Sequence, residues 1–506
     1  MPVATVTPFQ FAQSPQPTPP SKAKQRSEEI DLFLEPPSYR TVTTSSTATN
    51  QASSTSENLT PPNCASSSSH DASIASAISR SLMTAMNKKA DPDEIRQLVL
   101  EVIRLAKDES MARRLVDAGV IPHLITELKN SSPNEAGVND IILALGLLSQ
   151  DLLSATSIIR PGTAERLIEI SKGTQDAAAR AYLAWCLGRM AQSDDIATRL
   201  AKGGLPELLI SWLTISDDMK TQRYCAWTLG TLARTDSLVN MLVEIGAIPT
   251  LASHLNRVAA PQANPDPEDL GVALFAVARF ARSIKLSKAL AGAGSVEPMV
   301  QILNQELNPK VLNWAARAIG CHMRPNSSDM AKILLRGGAA KGLAKLPHSI
   351  PLEETEALGS FAFAIARFSC AEWGPGTRKA LVQTGVVDAL LSALRTASAV
   401  PTTNPHVHAE LAFAISFLGD VGGSSIRKEI QDSGGVEILR QLARQEPPDV
   451  RKACEDAITS TTGNMFTRLT ASTKAGLTHD WRGGCPEYPI IPPSFLGANV
   501  LVSTPY

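Results

Sequence analysis

Leu115-Val116-Asp117-Ala118-Gly119-Val120-Ile121-Pro122-His123-Leu124-Ile125 ends one helix and begins another within a few residues. A helix that runs into Gly119 must turn sharply there. Glycine supplies the positive φ that a side chain resists at such a turn. Pro122 falls in the first turn of the next helix, where its missing N–H costs nothing. Leu124, Ile125 and Leu128 then recur at the spacing of one helix face and are expected in the core.

The phrase returns along the chain. Clear copies are Lys202-Gly203-Gly204-Leu205-Pro206-Glu207-Leu208-Leu209 and Glu244-Ile245-Gly246-Ala247-Ile248-Pro249-Thr250-Leu251; looser ones surround Gly162, Gly294, Gly338, Gly385 and Gly435. From Gly119 to Gly162 is 43 residues, followed by intervals of 42, 42, 48, 44, 47 and 50. A second phrase accompanies the first: Ala184-Trp185-Cys186-Leu187-Gly188-Arg189 and Ala226-Trp227-Thr228-Leu229-Gly230-Thr231, their tryptophans 42 apart. Related copies centre on Leu143, Phe275, Trp314, Phe363 and Phe413. Two helical phrases in a period slightly above forty suit units of a short first helix, a second helix and a long third helix. The longer intervals have local causes. Prolines 261, 265 and 267, and 401 and 405, add loops between second and third helices, and Glu372-Trp373-Gly374-Pro375-Gly376 lengthens another junction.

Composition divides the 506 residues into three zones. Residues 1–75 are rich in Ser, Thr, Pro and Gln, and are expected to be a disordered arm. Residues 76–463 are expected to form the helical repeat domain, with Glu94–Leu105 as a leading cap and Asp449–Ile458 as a trailing one. Residues 464–506 are expected to be an irregular tail that Trp481, Tyr488 and Phe495 could pin to the repeats. Aromatic residues make up 5% of the chain, and its wealth of Leu and Ala argues for helices over strands. A net charge of −1 gives no pull toward nucleic acid or an anionic membrane. Seven cysteines without a Cys-x-x-Cys pair read as reduced thiols. No apolar run reaches the length of a membrane span. The expectation is a protein of the cytoplasm or nucleus with no integral membrane association.

The phrases Asp117-Ala118-Gly119-Val120-Ile121-Pro122 and Ala184-Trp185-Cys186-Leu187-Gly188-Arg189 resemble armadillo repeats, as in importin-alpha and beta-catenin, over residues 90–463. The resemblance implies an all-α, right-handed superhelical solenoid of about eight three-helix repeats, with a concave groove lined by third helices. It also implies a role in holding partner proteins. In importin-alpha the Trp of the third helix is followed four residues later by Asn, which clamps an extended basic peptide. Carried over, the Trp site holds Leu143, Trp185, Trp227, Phe275, Trp314, Phe363 and Phe413. The Asn site holds Leu147, Arg189, Thr231, Arg279, Ala318, Arg367 and Phe417. With no Asn in the row and no basic importin-beta-binding segment, a nuclear-transport adaptor is disfavoured. Arg189, Arg279 and Arg367 instead suit carboxylates or phosphates, which guanidinium groups bind in a bidentate way.

Pro36-Pro37-Ser38-Tyr39 matches the Pro-Pro-x-Tyr ligand of WW domains, whose prolines pre-form polyproline II. His406-Val407-His408-Ala409-Glu410 offers three potential metal ligands, but no second cluster completes a site. No catalytic constellation, dinucleotide fingerprint or phosphate loop is present. The expected function is a non-catalytic scaffold, without cofactor or metal, that binds an extended acidic or phosphorylated peptide. Trp185, Trp227, Trp314, Thr231, Phe275 and Phe363 would line its groove beside the three arginines. The alternative is a ubiquitin-pathway adaptor recruiting a WW-domain ligase through Pro36, Pro37 and Tyr39.

Overall fold

The computed structural model describes residues 65–467, except 89, 133–134, 136, 261–265, 324–326, 372–374, 446 and 465–466. Among the described residues there are helices and no strand. Two helices, Ala65–Asn87 and Pro92–Leu105, lead into eight units of three. The first unit is Glu109–Asp117, Val120–Asn130 and Val138–Leu148; the second is Leu152–Ile158, Thr163–Gly173 and Ala177–Met190. The third is Asp194–Lys202, Leu205–Ile215 and Met219–Leu232; the fourth is Asp236–Glu244, Ala247–Val258 and Pro267–Phe280. The fifth is Ile284–Gly292, Val296–Gln305 and Pro309–His322. In the sixth, Ser328–Gly337 and Ala339–Lys345 precede Glu356–Ala371. The seventh begins with Pro375–Gln383 and Val386–Ala399 and continues into the long run Pro405–Asp432. That run breaks at Gly423 (φ 84°, ψ −177°), so it holds the third helix of the seventh unit and the first helix of the eighth. Gly435–Gln445 and Pro448–Thr462 complete the eighth.

Local chemistry sets these boundaries. Five of the third helices start on Asp or Asn caps: Asp176, Asp218 and Asp266 accept hydrogen bonds from Ala179, Thr221 and Glu268 N–H, and Asn308 and Asn404 do the same for Lys310 and His406. The expected glycine turns carry positive φ, from Gly119 at 80° to Gly385 at 78°. In the last unit the turn falls on Gly434 (φ 76°) and not on Gly435, which shortens the final interval by one.

Two further boundaries differ from the sequence reading. Asp449–Ile458 belongs to a complete third helix, Pro448–Thr462, because Gly423 conceals the start of the eighth unit. Helix begins at Ala65, eleven residues before the expected start at residue 76. Serines dominate the composition there, yet Ala75, Ile78, Leu82 and Ala85 recur at helical spacing and are buried.

Hydrogen bonds of one period in length join the units. Arg166 Nε donates to Leu128 O at 3.3 Å, Arg199 Nη1 to Ile159 O at 3.2 Å and Arg395 Nη2 to Ser433 O at 2.8 Å. Thr228 Oγ1 donates to Ala184 O at 2.7 Å between third helices. Arg234–Asp194 and Arg282–Asp236 pair at 2.8 and 2.7 Å. Carbonyls at the helix ends of one unit thereby gain donors from a neighbouring unit. Third helices pack more closely on one another than second helices do, so their layer forms the inner curve of the solenoid.

Candidate functional site

The inner face is built from three positions on each third helix, one turn apart. Met190 and Leu232 end their helices two residues after Gly188 and Gly230, and His322 ends its helix two residues after Gly320. Counting back three from each glycine gives Trp185, Trp227 and Arg317. The fifth unit therefore places Arg317 at the aromatic site and Trp314 one turn earlier, level with Tyr182 and Tyr224. The site expected at Ala318 falls on Cys321. This corrects the sequence-based alignment. Trp314 attracted the match because tryptophan is rare, whereas the glycine marks the position.

The glycines matter because the next unit's ring lies on them. A Cβ at Gly188 would stand 2.8 Å from Cε3 of Trp227; at Gly230, 2.7 Å from Cε1 of Phe275; at Gly320, 2.6 Å from Cε1 of Phe363. Gly146 receives Trp185 in the same way, with Cζ3 at 3.1 Å. The aromatic row is thus inter-unit packing, with Trp185 2% and Trp227 3% exposed. Trp314 is half-buried and meets Phe275 edge-on, ring centroids 5.0 Å apart. Thr231 is buried and donates to its own helix at Trp227 O, 2.9 Å away.

The arginines are drawn into the same packing. Arg279, 5% exposed, donates from Nε to Gly230 O at 3.3 Å and from Nη2 to Ala233 O at 3.1 Å. Arg189 is half-buried; its Nη2 donates to Gln150 Oε1 at 2.6 Å, and Gln150 in turn donates to Leu147 O at 2.7 Å. Burial lowers the pKa of Arg189. Arg367, 7% exposed, and Arg317, 1% exposed, lie 4.9 and 4.3 Å from the ring centroid of Phe363. An open row of anion anchors was expected; Arg279 and Arg367 are instead buried, because carbonyls ending the preceding third helix and the ring of Phe363 lie within their reach, and Arg189 is half-buried against Gln150.

Arg317 also donates from Nε to Ser360 Oγ at 3.1 Å and lies 3.6 Å from Glu410 Oε1. Glu410 is buried and stands 3.5 Å from His406 Nε2. His408 Nε2 instead lies 3.1 Å from Ala397 O, so the three candidate ligands of His406–Glu410 do not converge. Among the described residues no group of three or more His, Cys, Asp or Glu is placed to hold a metal ion. Cys186, Cys225, Cys321 and Cys454 are buried, and burial pushes the thiols of Cys186 and Cys225 well above the usual range. No described helix is long and apolar enough by itself to cross a membrane. Pro36, Pro37 and Tyr39 lie outside the described residues.

With the positions aligned, units two to six present Tyr182, Trp185 and Arg189; Tyr224, Trp227 and Thr231; Val272, Phe275 and Arg279; Trp314, Arg317 and Cys321; Ser360, Phe363 and Arg367. Every charged residue on this stripe is an arginine. Sequence reasoning missed Arg317; the Gly-Cys pair at 320–321, matching Gly188-Arg189, could have revealed it.

No protein-family model matches the chain, and no curated protein matches it. Among solved structures, an engineered protein from the Northeast Structural Genomics Consortium superposes with a TM-score of 0.59 at 23% identity, covering 80% of this chain and 92% of that one. A designed armadillo repeat protein gives 0.42 at 21% identity over 51% of this chain and all of its own, 100%. Another, solved in complex with the peptide (KR)4, gives 0.41 at 21% identity over 51% of this chain and 99% of its own. The first of these likenesses extends over most of the repeat domain. Three-helix units stacked at this period, with their longest helices on the inner curve, define the armadillo-type solenoid, and that is the fold of this chain.

Proposed function

We propose that this solenoid is a non-catalytic scaffold whose inner face takes an extended, acidic segment of a partner protein across units two to six. One observation carries the reading: among the fifteen aligned positions of those units, the charged ones are Arg189, Arg279, Arg317 and Arg367. Glu410 of the seventh unit stands 3.6 Å from Arg317. Cations held in a low-dielectric layer keep a strong field at its surface, which favours a ligand of opposite sign. Third-helix axes are about 10 Å apart, so an extended chain passes one unit about every three residues, and acidic side chains at that spacing would meet successive units.

The test uses the full chain and a short fluorescent poly-glutamate peptide. Saturable binding that weakens as salt is raised is expected. Arg189→Glu should remove most of it while leaving helical circular dichroism intact, since Arg189 is half-buried and not in the core. Equal affinity for poly-lysine, or binding unchanged in Arg189→Glu, overturns the reading.

A further inference from the structure

The net charge of −1 conceals an uneven distribution along the first helices. In units one to four these helices carry four basic and six acidic residues. In units five to eight, over Ile284–Gly292, Ser328–Gly337, Pro375–Gln383 and residues 424–432, they carry eight basic and three acidic ones. The excess is ordered. Counting back six residues from the glycine turns at Gly294, Gly338, Gly385 and Gly434 gives Lys288, Lys332, Lys379 and Lys428, all exposed. The same count from Gly119, Gly162, Gly204 and Gly246 gives Arg113, Thr156, Thr198 and Asn240.

Each of these helices turns one stripe to solvent. Along Ser328–Gly337, Asp329, Lys332, Ile333 and Arg336 are exposed while Met330, Ala331 and Leu334 are buried, which is the three- and four-residue spacing of one helix face. Along Ile284–Gly292 the exposed side chains include Ile284, Lys285 and Lys288, and along Pro375–Gln383 they include Lys379 and Val382. Ile284, Ile333 and Val382 thus leave one large aliphatic side chain per unit in water beside the lysines. The first helices of units six and seven pack on one another, which joins their stripes. The acidic residues do not cancel the row. Asp329 pairs with Lys288 at 3.0 Å, but both side chains are more than half exposed, and such pairs are weak. Glu429 and Asp432 lie only on the eighth unit's helix, at the end of the row. Lys379 and Lys428 form no ion pair among the described residues.

We propose that the first helices of units five to eight form a docking surface for an anionic lipid membrane, held by the lysine row and by shallow insertion of Ile284, Ile333 and Val382. Charge complementarity and the choice of cation select this partner. Anionic headgroups have no fixed positions, and an ammonium on a flexible stem meets them as a point charge. A protein carboxylate held in one place is better met by the planar fork of arginine, which is the repeated cation of the inner face and not of this one. Aliphatic side chains among the cations add apolar area that the boundary of the acyl chains takes up. Nucleic acid would offer those side chains nothing, and no aromatic residue on these four helices could stack on a base. With about 10 Å between neighbouring units, the four lysines extend over about 30 Å of surface. These helices are not those of the inner face, so the proposal stands apart from the acidic-segment reading.

Flotation of the full chain with lipid vesicles tests this. Vesicles of equal parts phosphatidylcholine and phosphatidylserine should carry the protein, vesicles of phosphatidylcholine alone should not, and added salt should release it. Lys288→Gln, Lys332→Gln and Lys379→Gln together should weaken binding about a hundred-fold. Circular dichroism should not change, because all three side chains are exposed. Ile333→Ser should weaken binding several-fold. Leu153→Ser, at an exposed position on the uncharged first helix of unit two, should leave it unaltered. No flotation with either vesicle, equal flotation with both, or a triple variant that binds as the parent does overturns the proposal. Release by Leu153→Ser alone overturns its placement on units five to eight. The poly-glutamate peptide separates the two surfaces: the triple variant should bind it as the parent does. Loss of peptide binding in the triple variant, with no flotation of the parent, overturns the lipid proposal and assigns the row to an acidic protein.

Discussion

Gly188→Ala should destabilise this protein although it improves the helix in which it sits. In an unobstructed helix interior, replacing glycine by alanine gains about 1 kcal/mol. At Gly188 the new methyl would stand 2.8 Å from Cε3 of Trp227 and closer still to Cζ3 and to Thr228 Oγ1. Ordinary carbon contacts are about 3.5–4.0 Å, so the ring would have to retreat by roughly an ångström. Trp227 is 3% exposed, and Thr228 is tied to Ala184 O at 2.7 Å, so neither can withdraw without moving the third unit. Overpacking of this kind costs about 1–3 kcal/mol, which outweighs the propensity gain at the upper end. Gly271 supplies the control: its Cβ would meet Trp314 Cδ1 at 3.7 Å, an ordinary contact, so Gly271→Ala should stabilise by up to about 1 kcal/mol. Urea denaturation followed by far-ultraviolet circular dichroism measures both. Repeat arrays can unfold in steps, so midpoints of the first transition are compared. A Gly188→Ala chain as resistant as Gly271→Ala would refute the idea that glycine is there to seat the next unit's ring.

Two other predictions concern buried charge. Burial, assisted by Arg257 at 3.3 Å, lowers the pKa of His254 to about 3. The unfolded chain takes up this proton near 6.5 and the folded chain does not until about 3, so the contribution is whole above pH 6.5 and is lost as pH falls through that window, at up to about 1.4 kcal/mol per pH unit. Denaturation midpoints of parent and His254→Gln across this range should converge toward acid; parallel curves would show that His254 does not drive the loss. Arg223 meets Asp266 at 2.8 Å, Asp269 at 2.5 Å and Glu268, clasping the third helices of units three and four. Burial opposes its charge, but these carboxylates outweigh burial and raise its pKa. Arg223→Ala strands the buried Asp269 and should cost about 3 kcal/mol by urea denaturation, with Asp269→Asn added to it restoring part. A single variant within experimental error of the parent would remove the clasp from the account.

Much of the fold could be read from the chain, because each period repeats a glycine turn, a proline in the following turn and a Leu-rich face. These features are set by backbone geometry and so survive wide variation elsewhere. The inner face was only partly legible. Trp185, Trp227, Phe275 and Phe363 were placed on one row correctly, but nothing local says that a ring will rest on a glycine 39 to 45 residues earlier. At the fifth unit the rarity of Trp314 outweighed Gly320, and the alignment slipped by one turn. The arginines raised a different difficulty. Arg279 has the same neighbours in sequence whether it faces solvent or reaches back to Gly230 O, and only the approach of consecutive third helices decides. At the amino-terminal end, a serine-rich composition concealed the helical spacing of Ala75, Ile78, Leu82 and Ala85.

The period-long bonds between units make the array editable in whole steps. Excision of residues 204–245, which spans 42 residues, joins Gly203 to Gly246 and leaves Asp194–Lys202 followed by Ala247–Val258 and Pro267–Phe280. Phe275 would then come to rest on Gly188, and Arg279 would find the carbonyls of Gly188 and Ala191 in place of those of Gly230 and Ala233. Each surface left by such a cut is complementary to the one it meets. Internal duplication or loss of a unit is thus a change the molecule can absorb, whereas a deletion of any other length would bring unlike faces together.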